Sequence, residues 1–277
     1  MNMDTEKRVH KLFGGASSSL NKTDPEFAGI IANFSQGEVI EANKLTEKEQ
    51  MLCILSALLG CQGMGEFQNM LHAALNMGID PIVIKEVIYQ ATAYLGIGRT
   101  YDFLMAANQI MEQHEIKLPL ATQATTNEKT RFVDGLAKQV ELFGENMAKR
   151  QTDGPVLRRN INRWLADNCF GDYYTRNGLN DQEREMITFC FILAQGGCEN
   201  QLRGHTAGNF GVGNDKEKLY SIVEQCMPYI GYPRSLNAMN IIDEVSRAWK
   251  INNLSQSTIQ KARTQKFVKF LSKSIDR

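Results

Sequence analysis

The chain has 277 residues, of which 43% are hydrophobic and 22% charged, and its 31 basic residues balance 31 acidic ones. This length suits one large domain or two of ordinary size, and zero net charge excludes a bulk field that draws the protein to nucleic acid or an anionic membrane. No apolar run approaches the roughly 20 residues of a membrane helix, and the first residues lack the apolar core of a signal peptide. We therefore expect a cytoplasmic protein with no nucleic-acid or membrane partner.

The sequence repeats itself in chain order, at an offset that changes only from 130 to 135 residues. The matched positions are Leu12 with Leu142, Gly37 with Gly171, Leu45 with Leu179, Gln68 with Gln201, His72 with His205, and Tyr94 with Tyr229. This order predicts two tandem copies of one domain, residues 1–120 and 121–250, joined by the polar stretch at 118–127. A basic C-terminal tail helix is predicted over residues 251–277.

Each copy is predicted to be helical. Thr46-x-x-Glu49 is a capping box, and Asn180-x-x-Glu183 is a similar start signal. The run from Met186 to Ala194 has hardly any polar face, which predicts a buried helix of the kind often found at a subunit interface.

The helices that follow have their own start and stop signals. Asp80-Pro81 is typical of a helix start, and Gly96 and Gly231 are typical of positions just past a helix end. A last helix in each copy begins near Arg99 or Arg234. No segment shows the convincing alternation of apolar and polar residues that indicates a β-strand, so the predicted fold class is all-α.

Six cysteines are scattered through the chain without a Cys-x-x-Cys pair. They are Cys53, Cys61, Cys169, Cys190, Cys198 and Cys226. We expect reduced, mostly buried thiols, with neither a disulfide framework nor a zinc site.

The candidate chemistry centres on a histidine that occurs in both copies. On a helix, Cys198, Gln201 and His205 fall on one stripe, because residues three and four apart are neighbours. Imidazole exchanges protons near neutral pH, which suits acid/base catalysis. The alternative is a buried, hydrogen-bonded core histidine, but the recurrence of Gln-x-x-x-His at Gln68 and His72 favours function.

These residues resemble a known family. Glu199-x-Gln201-Leu202-Arg203-x-His205, followed by Tyr229-x-Gly231-x-Pro233-Arg234, is similar to the carboxymuconolactone decarboxylase family, closely over residues 155–246 and less tightly over 24–112. The resemblance implies an AhpD-like all-α fold and a homo-oligomer, here a trimer of two-domain chains. It also implies a cofactor-free reaction of aromatic breakdown, in which a small carboxylated lactone such as γ-carboxymuconolactone loses CO2.

The resemblance implies that His205 is the acid/base and that Arg203 or Arg234 binds the substrate carboxylate. The candidate catalytic residues are His205, His72, Gln201, Glu199 and Cys198; the candidate substrate-binding residues are Arg203, Arg234 and Gln68; no metal ligand is expected.

The sequence departs from the family pattern in two ways. Gln201 stands where family decarboxylases often carry a glutamate, and Glu199 lies off the face of His205. The peroxidase branch of the fold has a Cys-x-x-Cys pair before its histidine, whereas here the second position is Gln201. A thiol-dependent peroxidase that uses Cys198 with a partner's thiol, and a non-catalytic oligomeric binding protein, remain the alternatives. The first copy, with Met70 in place of Arg203, is either structural or half of a composite site.

Overall fold

A computed structural model describes residues 3–14 and 20–251. Helices and their connections make up these two ranges, and no strand occurs in them, which confirms the all-α prediction. None of the helices described there combines the length and apolar character needed to cross a bilayer. The predicted tail helix, beyond residue 251, lies outside the described residues.

The first copy contains eight α-helices. They are α1 (Met3–Phe13), α2 (Leu20–Thr23), α3 (Pro25–Ala32), α4 (Val39–Ala42), α5 (Glu47–Cys61), α6 (Met64–Asn76), α7 (Pro81–Leu95) and α8 (Ile97–Gln113). A π-helical segment, Asn33–Glu38, connects α3 to α4.

The second copy follows a similar order after the connecting stretch, but among its described residues no helix corresponds to α4. Its helices are α9 (Arg131–Phe143), α10 (Asn146–Thr152), α11 (Arg159–Trp164), α12 (Asp181–Gln195), α13 (Glu199–Gly211), α14 (Lys216–Ile230) and α15, which begins at residue 232 and is described as far as residue 251. A 3₁₀ turn, Val156–Arg158, precedes α11, and a π-helical segment, Leu165–Tyr174, follows it.

Local signals set the helix ends as predicted. Thr46 and Asn180 each accept a hydrogen bond from the backbone N–H three residues on, and the backbone N–H of each cap residue donates to the carboxylate of the glutamate at that position, so both capping boxes are complete. Gly96 and Gly231 follow α7 and α14 with φ of 80° each, a conformation that glycine adopts without strain.

The glycine match between the copies also has a packing reason. Helix α1 lies across the first π-helical segment and α9 lies across the second. A Cβ at Gly37 would come within 2.8 Å of Thr5 Oγ1, and one at Gly171 would collide with the carbonyl of Arg131. Each copy therefore needs a glycine where its first helix crosses the π-helical segment.

Helices α5 and α12 form the centre of the molecule. Both are buried along most of their length, and they pack so closely that a Cβ at Gly60 would lie 2.8 Å from the carbonyl of Phe191. Helices α7 and α14 pack against this pair, and the buried apolar side chains of both copies form one continuous core. The apolar surface of α12 is thus covered within the chain itself, which explains why the helix lacks a polar face.

Candidate functional site

The side chain of His205 lies against a buried carboxylate. His205 is on α13, and its Nδ1 is 2.9 Å from Oε2 of Glu185 on α12. The Glu185 side chain is fully buried, whereas that of His205 is 12% exposed. An ionised carboxylate can only accept hydrogen bonds, so Nδ1 carries the proton in that state and Nε2 is left free.

The other oxygen of Glu185 is held by a tyrosine. The hydroxyl of Tyr174 donates to Glu185 Oε1 at 2.9 Å and lies 2.9 Å from both Tyr94 Oη and Thr188 Oγ1. Burial raises the pKa of Tyr94 and of Tyr174 well above the ordinary range, so both hydroxyls keep their hydrogen. Glu185 therefore accepts a hydrogen bond at each of its oxygens.

Aromatic rings cover the imidazole on two sides. Tyr94 and Phe143 each meet the His205 ring edge to face, with ring centroids 5.4 Å apart. Tyr94 comes from α7 of the first copy, so the surroundings of His205 are composite. Nearby, burial raises the pKa of the Cys169 thiol to about 12, which keeps that side chain neutral.

A second buried group ties α12 to the first copy. Arg184, which is 1% exposed, donates from Nη1 to Gln90 Oε1 at 2.6 Å and from Nη2 to Glu86 Oε2 at 3.2 Å. Gln90 in turn donates from Nε2 to the backbone carbonyl of Arg184 and to Thr188 Oγ1. These bonds fix the start of α12, and with it Glu185, against α7.

The matching histidine of the first copy has a different neighbour. His72 Nδ1 lies 3.0 Å from Nε2 of His114 and not beside a carboxylate. Burial, and secondarily the charge of His114, lowers the pKa of His72. The capping boxes at Thr46 and Asn180 set an offset of 134 residues between α5 and α12. At that offset the positions of Tyr174, Glu185 and Thr188 correspond to Ile40, Met51 and Ile54.

The thiol predicted to share the histidine face lies at the start of the helix. Cys198 is the N-cap residue of α13, seven residues and therefore about 10 Å along the axis from His205. Its Sγ accepts a hydrogen bond from Gln195 Nε2 at 3.4 Å. Glu199 and Gln201 are exposed on the first turn. The structure therefore does not bring the thiol to the imidazole.

The predicted cations lie elsewhere on the surface. Arg203 pairs with Glu244 at 3.0 Å, and this partner raises the pKa of its guanidinium. Arg234 donates to the carbonyl of Ala194. Ala194 lies nine residues beyond Glu185 on α12, roughly 14 Å along the axis.

Gln68 lines a cavity of about 550 Å³ in the first copy, together with the carboxylates of Asp102 and Glu112. Among the residues in ranges 3–14 and 20–251, no three His, Cys, Asp or Glu side chains are arranged to hold a metal ion.

No sequence pattern identified Glu185, Tyr174 or Thr188 as site residues. A signal for Glu185 is present, because Arg184-Glu185 places two charges directly before the apolar run of α12, where α5 has Gln50-Met51. A charge at the edge of a buried helix needs a partner, and that partner is His205.

Comparisons with known proteins agree with this fold. The model of the carboxymuconolactone decarboxylase family matches residues 25–109 and 160–244, once in each copy. The 4-carboxymuconolactone decarboxylase of Acinetobacter baylyi is 28% identical over 120 residues, which are 43% of this chain and 89% of that protein. A crystal structure from Burkholderia xenovorans, described as a gamma-carboxymuconolactone decarboxylase subunit, has a TM-score of 0.52 at 17% identity and covers 88% of this chain and 97% of its own.

Proposed function

The chain belongs to the carboxymuconolactone decarboxylase family, and from this we propose that it is a cofactor-free carboxy-lyase whose reacting site lies in the second copy. The 4-carboxymuconolactone decarboxylase of Acinetobacter baylyi supports a small carboxylated lactone, γ-carboxymuconolactone or a relative, as the substrate. The observation that carries the proposal is the buried Glu185–His205 pair, which only the second copy has.

The chemistry requires a group that delivers a proton. The bond between the substrate carbon and its carboxylate breaks, CO2 leaves, and the electron pair stays on the lactone as a carbanion delocalised into an enolate. His205, which holds one proton on Nδ1, takes up a second on Nε2 from water, and the imidazolium gives that second proton to the carbanion, so one proton is consumed for each CO2 released. Glu185 stabilises the imidazolium through Nδ1–H, and the exposed edge of His205 allows the proton to be regained from water.

A substrate carboxylate also needs a partner. Of the predicted cations, Arg203 lies two residues from His205 along α13, and its side chain is 40% exposed. Binding there requires the guanidinium to exchange Glu244 for the substrate. Arg234 is the second candidate, and it reaches a different part of the molecule through Ala194.

The test is turnover of γ-carboxymuconolactone, followed by CO2 release. We expect turnover in the wild type, its loss in His205→Asn and in Glu185→Gln, and wild-type turnover in His72→Asn, which alters the corresponding position of the first copy. Turnover that survives His205→Asn would contradict the proposal. No turnover in the wild type, with peroxide reduction lost in Cys198→Ser, would favour the thiol peroxidase instead. No turnover of either kind would favour the non-catalytic binding protein.

We also propose that the chain forms a homo-oligomer, a trimer of two-domain chains. Exposed apolar side chains recur at the same places of the two copies, which supports an interface used twice. They are Phe27, Ile30 and Ile31 in the first copy, and Ile161, Trp164 and Leu165 in the second. Sedimentation equilibrium should give three chains in the wild type and a smaller mass in Trp164→Glu. A wild-type monomer would contradict this part of the proposal.

A further inference from the structure

We propose that Tyr174 is the positioning residue of the Glu185–His205 pair, and that the first copy orients it through Gln90 and Tyr94. The inference deepens the proposed function and rests on it only for its kinetic consequence. It assigns to the first copy, which lacks a carboxylate beside its own histidine, a part in the site of the second.

The hydrogen bonds around Tyr174 have one consistent direction, which begins at Arg184. A guanidinium has only donors, so the Gln90 atom that accepts from Arg184 must be the amide oxygen. Gln90 Oε1 lies 2.6 Å from Arg184 Nη1. The amide nitrogen of Gln90 then faces Thr188 Oγ1 at 2.8 Å and donates to it. The Thr188 hydroxyl, which accepts from Gln90, is left to donate its own hydrogen to Tyr174.

Tyr174 passes this direction on to the carboxylate. Its oxygen has two lone pairs, which accept from Thr188 and from the Tyr94 hydroxyl, each at 2.9 Å. The one hydrogen of Tyr174 is then committed to Glu185 Oε1. This bond holds Glu185 with Oε2 toward His205. The direction of the hydrogen bonds makes both carboxylate oxygens of Glu185 acceptors.

Comparison of the two copies separates this role from a role in folding. The first copy builds the same capped central helix without the network, because Ile40, Met51 and Ile54 occupy the three polar positions. The corresponding segment thus folds in the first copy without a hydroxyl at the position of Tyr174. Tyr174, Thr188 and Glu185 are present together in one copy and absent together in the other, as expected of side chains that work as a unit.

Gln90, which bonds Thr188 from the first copy, differs from its counterpart in the same way. That counterpart is Gln225, at the offset of 135 that matches Tyr94 with Tyr229. Gln225 is fully buried and accepts a hydrogen bond from Asn43, but its amide nitrogen has no hydrogen-bond partner among the described residues. Where Thr188 accepts from Gln90, the first copy has Ile54. Gln90 of α7 thus donates a hydrogen bond to a hydroxyl of α12, whereas the corresponding Gln225 of α14 has no such acceptor on α5.

The test uses full-length protein labelled with 15N in its histidines, of which the chain has four. Long-range 1H–15N spectra report which ring nitrogen carries the proton, and His205→Asn assigns the signals. We expect His205 in the wild type to be protonated on Nδ1 at neutral pH. Tyr174→Phe should give a mixture of both His205 tautomers. Tyr94→Phe keeps the hydrogen bond from Tyr174 to Glu185, so it should cause a smaller change. The matched control is Tyr229→Phe, at the counterpart of Tyr94, which should leave the His205 signals unchanged.

Kinetics supply the second measurement. We expect Tyr174→Phe to lower kcat about tenfold while KM stays within about twofold, because the substrate is bound but the proton is poorly placed. A wild-type tautomer in both Tyr174→Phe and Tyr94→Phe would overturn the inference. If Tyr174→Phe does not fold, the comparison of Tyr94→Phe with Tyr229→Phe decides it. Altered tautomers in a protein without lactone turnover would retain the positioning role and reject the proposed substrate.

Discussion

Glu185 and Gly208 face each other so closely that the carboxylate occupies the space of a side chain at residue 208. A Cβ at Gly208 would collide with Glu185 Oε2, the oxygen bound to His205, and would lie 3.0 Å from a ring carbon of Phe143. Gly208 is three residues beyond His205 on α13, so one helix face carries both the histidine and the gap that its partner fills. The first copy, which has Met51 in place of Glu185, has Leu75 in place of this glycine.

The first prediction follows from that gap. Gly208→Ala should push the carboxylate away from His205 and lower kcat at least tenfold, while the protein remains folded. Gly204→Ala is the control, because a Cβ there meets nothing within 4 Å. Replacing a glycine inside a helix should stabilise that variant by roughly 0.5–1 kcal/mol without loss of activity. Equal kcat values for the two variants would show that the position of the carboxylate does not matter.

The second prediction concerns the predicted cation on α13. If Arg203 binds a substrate carboxylate, Arg203→Gln should raise KM for the lactone about tenfold with a smaller change in kcat, because the bond is made in both the ground state and the transition state. Glu244→Gln frees the guanidinium from its present partner and should lower KM. The two KM values measured side by side decide the role: if both equal the wild-type value, Arg203 is a surface ion pair and nothing more.

Local signals were readable from the sequence, whereas the reacting pair was not. The capping boxes at Thr46 and Asn180 involve residues three apart, so a short pattern contains the whole interaction. Glu185 and His205 are 20 residues apart, and only the packing of α12 on α13 brings them together. The repeat matched His72 with His205, but it could not show that their neighbours differ, because Glu185 lies on α12 and His114 follows the end of α8, both far from the histidines in sequence.

The same limit explains the placement of Cys198. Helical spacing put it on the face of His205, but the helix begins only after it, so the thiol is at the end of α13 and joins Gln195 instead. The carboxylate beside His205 is Glu185 of α12, 20 residues away in sequence, so no pattern within the segment of Glu199, Gln201 and His205 could point to it.

The third prediction concerns the buried ion pair that holds α12 against α7. Glu86, which is 1% exposed, bonds both Arg184 and Arg176. Glu86→Ala leaves the Arg184 charge buried without its carboxylate, which typically costs about 3–5 kcal/mol. Urea unfolding should therefore show a much lower midpoint. Lys11→Ala, which breaks an exposed pair with Glu47, is the control and should leave the midpoint near the wild-type value. Matching midpoints would mean that the buried pair is not needed for stability.

The fourth prediction is a pH dependence of stability that comes from His72. Burial and His114 lower the pKa of His72 below its ordinary value of 6.5. The unfolded chain therefore takes up a proton on His72 at pH values where the folded protein does not. This contribution to stability is complete above pH 6.5 and is lost as the pH falls below 6.5 toward the lowered pKa of the folded state. The melting temperature should fall accordingly between pH 7.5 and 5.

The contribution of His72 is isolated by difference, because carboxyl groups elsewhere also titrate toward pH 5. His72→Gln cannot take up the proton, so its melting temperature should fall less steeply than that of the wild type over this range. His10→Gln, at an exposed position on α1, should keep the wild-type slope. His114→Gln removes the charge beside His72 but leaves His72 buried, and burial is the larger cause of its lowered pKa. The slope of His114→Gln should therefore lie between those of His72→Gln and the wild type. Identical slopes in all four proteins would mean that His72 has the same affinity for protons in the folded and unfolded chains.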